Sequence, residues 1–226
     1  MKRKVSMRKT TVVDILLYSL VLGVFLGLTG CQEDVEPGET LVYENDFTTE
    51  NLKEIKNGRL RAYNGQTVLG NYNNEEIAIN VADLPSHKFL RVTVDLLLHD
   101  SWDGNAGPAG GPDKWYLEID GQSLINSTFS NQPCVPTWCL SQSYPEPYGR
   151  HNDPKTGAED TNLPGLCRYA DSLGWTTKYR ISKIIQHKED QITLVCGDET
   201  VQQHLTTSQI CDESWSLSSI KVHLVE

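Results

Sequence analysis

Short runs of apolar β-formers, each closed by a cluster of turn residues, recur along most of this chain. They cover residues 40–46, 67–72, 77–81, 89–98, 115–119, 178–185, 191–196 and 220–225. Arg91-Val92-Thr93-Val94-Asp95-Leu96 alternates polar and apolar positions, and so does Ile220-Lys221-Val222-His223-Leu224. A period of two marks a strand with one buried face. Asn64-Gly65 and Asp120-Gly121 are hairpin pairs, because both central positions of a tight hairpin turn take positive φ. Asp83-Leu84-Pro85 ends a strand, since proline has no N–H to give to a ladder. No run of this kind carries the 3.6-residue period of a long amphipathic helix. The pattern predicts an all-β fold, an antiparallel β-sandwich of the jelly-roll kind.

Two segments break the pattern. The first is N-terminal: residues 12–28 are apolar except for Asp14 and follow Lys2, Arg3, Lys4, Arg8 and Lys9, the layout of an export signal. It ends in Leu28-Thr29-Gly30-Cys31, which resembles the lipobox of bacterial lipoproteins. The resemblance implies cleavage after Gly30 and lipidation of Cys31. Residues 1–30 are then a signal peptide, 31–40 an acidic tether containing Pro37 and Gly38, and 41–226 the β-sandwich domain. A single membrane-spanning anchor is the alternative, at the short limit of length. The small residues before the cysteine, and the acidic turn at Glu33, Asp34 and Glu36, favour processing. Gln32-Glu33-Asp34 looks like the signal that accompanies lipoproteins to the outer membrane or cell surface.

The second break, residues 131–175, is rich in Pro, Gly, Tyr, Asn and Asp and holds three cysteines. A loop this long inside a compact domain is functional or disordered, and its cysteines argue for a stapled, ordered one. Export permits disulfides. With Cys31 lipidated, five cysteines remain: Cys134, Cys139, Cys167, Cys196 and Cys211. Cys196 and Cys211 are neighbours in sequence, so a bridge between them is expected, closing a sixteen-residue loop. Cys134 or Cys139 would join Cys167. These spacings do not give the two close pairs of a thiolate zinc site.

Charge narrows the partners. The 226 residues carry a formal charge of −10, and removing the signal's five cationic residues and Asp14 takes it to −14. That excludes a nucleic-acid backbone and electrostatic adhesion to anionic lipid, leaving the lipid anchor as the membrane contact.

Two stretches share a texture: Asp100-Ser101-Trp102-Asp103-Gly104-Asn105 after one strong strand, and Asp212-Glu213-Ser214-Trp215 before the last. With Asp46-Phe47 and Leu84-Pro85-Ser86-His87, they resemble a group of extracellular lectin-like or galactose-binding-like jelly-roll modules. The resemblance covers residues 43–225 and implies the fold, but no single activity. The closing strand departs from that group's pattern, with Trp215-Ser216-Leu217-Ser218-Ser219 in place of tryptophan-glycine-isoleucine-aspartate-asparagine.

Asp100, Asp103, Asn105 and Asp113 offer hard oxygens within a glycine-rich turn, as a calcium ion requires. Asp212 or Glu213 would join them if the two motifs meet in space, and Asp212 completes the expected Ca2+ set. The competing reading is that the acids cap turns while Trp102 and Trp215 fill the core. No Gly-x-Ser-x-Gly elbow, His-Glu-x-x-His helix or regular carboxylate pattern is present, so a binding protein is expected rather than an enzyme. Trp138, Tyr144, Tyr148 and Trp175 fall in or beside the long loop, where their faces suit the apolar faces of sugar rings. The expected function is therefore carbohydrate binding at the cell envelope. A structural or adhesive module contacting an envelope protein is the alternative, and a polysaccharide-active enzyme the third.

Overall fold

The computed structural model describes residues 38–108, 110–201 and 209–226; the export signal, the lipobox and Cys31 lie outside them. Twelve strands are described: β1 Glu39–Asn45, β2 Ile55–Lys56, β3 Leu60–Tyr63, β4 Gln66–Tyr72, β5 Glu76–Val81, β6 Phe89–Asp100, β7 Lys114–Ile119, β8 Gln122–Thr128, β9 Asp160–Pro164, β10 Leu173–Gln186, β11 Ile192–Glu199 and β12 Glu213–Val225. They form two antiparallel sheets. One runs β3-β4-β12-β6-β10-β9, with β1 also on β12; the other runs β2-β5-β11-β7-β8. Side chains alternate across each strand, so the inner faces interleave into one core that includes Ile77, Ile79, Leu96, Trp115, Leu194, Trp215 and Val222.

The hairpins fall where the dipeptides predict them. Asn64 and Gly65 both take positive φ between β3 and β4, as Asp120 and Gly121 do between β7 and β8. The alternation of β6 holds over its first half and then stops, with every residue from Val94 through Asp100 buried. The cause is a second small core on the outer face, where Leu97 packs with Tyr63 and Val68 under Leu163 and Leu166. Strands β2, β3, β8 and β9 lack a long apolar run and were not marked by the pattern.

The disulfides differ from the expected pairing. Cys134 bonds Cys139, and Cys167 bonds Cys211, with Cα–Cα distances of 4.4 and 5.0 Å. Cys196 is a free, fully buried thiol, so the expected Cys196–Cys211 bridge is corrected. Cys196 faces the core from the middle of β11, opposite Ile77 on one side and Leu117 on the other. Burial pushes its thiol well above its ordinary value. Cys211 lies in the short turn leading into β12, beside the loop that carries Cys167. Proximity along the chain misled here because a strand and the turn after it need not share a face. The Cys167–Cys211 bridge spans 44 residues, and its loop-closure entropy corresponds to about 4 kcal/mol.

Candidate functional site at the loop end of the sandwich

The two tryptophan motifs meet. In the pairing of β12 with β6, Glu213 lies opposite Asp100. The Ser101 backbone N–H donates to the Asp212 carbonyl at 2.8 Å, and the Trp102 indole N–H donates to the Ser214 carbonyl at 3.0 Å. Trp115 and Trp215 touch edge to face at 6.1 Å, and Trp215 donates its indole N–H to Asp198 at 2.7 Å. Residues two apart on a strand share a face, so the positions two before these tryptophans, Asp113 and Glu213, also point toward each other. Asp103 joins them through its backbone N–H, which donates to Asp113 Oδ2 at 2.5 Å. The carboxylates of Asp103, Asp113 and Glu213 lie within 4.8 Å of one another.

Three carboxylates this close, and largely out of water, oppose one another's ionisation. Burial raises the Asp103 and Asp113 carboxyls above the usual carboxylate range, Asp113 the more strongly. Backbone N–H groups of Asp103 and Val201, and the Gln132 amide on Asp103, offset part of that cost. Either protons or a cation can relieve the rest. Oxygens held 2.3 to 2.6 Å from one calcium ion are at most about 5 Å apart, so this spacing fits calcium. The loop is shaped for this close approach. Gly104 takes φ +62, and a side chain there would meet the Ser141 carbonyl at 2.3 Å.

The expected donor set is corrected in three places. Asp100 points away from the cluster: its carboxylate accepts the backbone N–H groups of Leu166 and Cys167 at 3.1 and 3.3 Å. Burial, outweighing these donors, pushes the Asp100 carboxyl up to about 6. Asp212 accepts from the Ser101 hydroxyl and pairs with Arg168. The Asn105 amide donates to Ser141 and the Arg150 carbonyl, and its oxygen accepts from Thr128 and Ser143. Glu213 takes the place given to Asp212. The alternation of the last strand carried that signal, since Glu213 and not Asp212 shares the face of Trp215.

The long segment is ordered by backbone contacts to β8, the edge of its sheet. Ser143 and Tyr144 donate to the Thr128 carbonyl, the Ser127 hydroxyl donates to the Glu146 carbonyl, and Tyr148 donates to the Asn126 carbonyl. An edge strand left bare would be an aggregation hazard, and this segment covers it. Of the four aromatics expected to stack on sugar, two present their rings to solvent: Trp138 is 48% exposed and Tyr148 is 53% exposed. Trp138 sits in the tight turn closed by Cys134–Cys139, with Val135 exposed beside it. Tyr148 has the Lys114 ammonium over its ring at 5.0 Å.

The other two are corrected. Tyr144 is 9% exposed and packs against Phe129 and Tyr179 at 4.7 and 5.3 Å, pinning the segment to the core. Trp175 is half-buried, with its ring stacked on Tyr169 at 3.7 Å.

No protein-family model matches the chain, and no curated protein sequence matches it. Solved structures do. A family 35 carbohydrate-binding module from Clostridium thermocellum is 12% identical, with a TM-score of 0.35, over 81% of this chain and 96% of that one. TmCBM27, a carbohydrate-binding module that recognises mannan, is 12% identical, with a TM-score of 0.38, over 83% and 99%. Dimeric latent PorU from Porphyromonas gingivalis is 12% identical, with a TM-score of 0.35; 66% of this chain matches about a tenth of that protein. At this identity the likeness concerns the fold alone.

Proposed function

We propose that this protein binds carbohydrate at the loop end of its sandwich. The observation that carries the reading is the pair of exposed rings, Trp138 and Tyr148, each mounted on backbone that a disulfide or an edge-strand ladder holds in place. Aromatic faces held at low entropy cost are what stacking on a sugar requires. Calcium bound by Asp103, Asp113 and Glu213 would order the surrounding loops without touching the sugar. The gathered carboxylates are buried rather than set along an open groove, which favours an ion site over a pair of glycosidase acids. Export and a lipid anchor on Cys31 belong to the same proposal and rest on the lipobox resemblance, with carbohydrate outside the cell as the partner. Val135 beside Trp138 favours a second reading, an adhesive module that contacts an envelope protein.

A glycan array with the wild type, Trp138→Ala and Tyr148→Ala tests the function. Binding by the wild type and at least a tenfold loss in both variants is expected. No glycan bound, with or without calcium, would move the assignment to the adhesive module.

A further inference from the structure

Beside Tyr148 the chain folds back on itself and leaves a recess of about 390 Å3, lined by Glu146, Gly149, Arg150, His151 and Asn152. Its walls are fixed from behind. The Arg150 carbonyl accepts from Asn105 and lies 3.0 Å from the Ser143 hydroxyl, which shares its one proton between that carbonyl and Asn105 and accepts the Gly149 N–H at 3.1 Å. Asn152 donates to the carbonyls of Ser143 and Tyr144, and to Glu146 Oε2 at 2.7 Å. Its backbone exchanges two hydrogen bonds with Gln142. The His151 ring is oriented through Nδ1, 2.9 Å from the Ser141 hydroxyl. That hydroxyl also accepts from Asn105 and still has its own proton to give, so it can donate to Nδ1 of the tautomer that carries its proton on Nε2.

The binding edges are left over. Among the described residues the Arg150 guanidinium and His151 Nε2 have no hydrogen-bond or ion-pair partner, and Glu146 Oε1 has none either. Gly149, at φ +104 with nothing near its Cβ position, keeps the recess open. The unused groups are therefore one carboxylate oxygen, the N–H fork of the guanidinium and one imidazole nitrogen, next in the chain to the exposed ring of Tyr148.

We propose that this recess is the primary sugar subsite. It takes one neutral pyranose, with neighbouring hydroxyls donating to Glu146 and accepting from Arg150 and His151, while Tyr148 offers its ring to the next face. Hydroxyls both donate and accept, which matches a mixed wall of this kind. Glu146 and Arg150 balance each other's charge in the wall, which a neutral sugar leaves undisturbed, whereas a uronate would pair with Arg150 only by bringing its carboxylate beside Glu146. The inference rests on the carbohydrate reading above and names the residues that read the sugar.

The test is an array of neutral-hexose and uronate-containing oligosaccharides, followed by calorimetric titration of the same oligosaccharides into the wild type, Glu146→Gln, Arg150→Ala and Trp138→Ala. Both recess side chains are exposed, so thermal midpoints and near-ultraviolet circular dichroism should match the wild type and confirm the fold. The wild type should bind neutral chains, and Glu146→Gln and Arg150→Ala should each weaken that binding tenfold or more. Binding within twofold of wild type in both, with loss only in Trp138→Ala, would overturn the subsite while leaving the carbohydrate reading standing. Preference for uronate chains would overturn the neutral-sugar assignment. An array with no binding at all would remove both.

Discussion

The tryptophan motifs and the long stapled segment lie at the same end of the molecule and are both rich in aromatics, yet they use them in opposite ways. Trp102, Trp115 and Trp215 are fully buried, and two of the three indole N–H groups are satisfied inside the protein. Trp138 and Tyr148 put about half their surface into water. The most conspicuous words in the sequence are therefore architectural. They lock two sheets together and, in doing so, gather three acids. The less conspicuous loop carries the surface that can meet a ligand. A motif's visibility measures how many constraints act on it, and packing imposes more of them than binding does.

Substituting one tryptophan from each region tests the contrast most strongly. Trp215→Ala removes a ring buried against Tyr72 and Trp115 and should cost about 3–5 kcal/mol in denaturant unfolding. Trp138→Ala should stay within about 0.5 kcal/mol of wild type. Comparable losses at the two positions would erase the distinction. Replacing both Cys167 and Cys211 by serine should cost about 4 kcal/mol, against about 2 kcal/mol for Cys134 with Cys139, because the longer closed loop restrains more of the unfolded chain. In the wild type, Cys196 should react with an alkylating thiol reagent only after unfolding.

The acids separate next. At a calcium concentration one hundred times the dissociation constant, stabilisation should reach about 2.7 kcal/mol. Asp113→Asn and Glu213→Gln should abolish it, while Asp100→Asn should keep it. An Asp100 variant that loses the calcium response would restore the original donor set.

The smallest effect is on pH dependence. His99 is fully buried between the Thr176 and Ser216 hydroxyls, and burial, with help from Arg61, lowers its imidazole from 6.5 to about 3. The folded protein holds it neutral while the unfolded chain takes up a proton. Its contribution is complete above pH 6.5 and is lost as the pH falls toward 3. Between pH 6.5 and 5 this is about 2 kcal/mol. Asp100 acts with the opposite sign: raised to about 6 in the fold, it gains stability as the pH falls from 6 toward 3.8. His99→Gln should therefore flatten the acid limb of the wild-type profile, and an unchanged limb would remove His99 as its source.

Much of the fold was legible because strand alternation and positive-φ dipeptides are local signals. Ile220 to Leu224 could be assigned to a half-buried strand from five residues. The site was less legible because its parts are joined by register, not by sequence. Glu213 meets Asp113 only once β12 and β7 face each other, and nothing local distinguishes Glu213 from Asp212 except which of them shares a face with Trp215. Tyr144 and Tyr148 look alike in sequence, four residues apart in one turn-rich stretch. Only the Phe129 and Tyr179 rings beneath Tyr144 decide which of them is buried. The recess beside Tyr148 had no signature at all, because its walls are positioned by a bond from Asn105, 45 residues away from Arg150, and by local bonds to Ser143 within an irregular segment.

The most direct test of carbohydrate binding at the loop end is a titration of 15N-labelled protein with the tightest-binding neutral oligosaccharide from the array, followed through the five tryptophan indole N–H signals. The account predicts that the Trp138 signal shifts with saturable dependence on the sugar while those of Trp102, Trp115 and Trp215 stay in place. Shifts confined to the buried tryptophans, or no indole shift at a saturating sugar concentration, would contradict it.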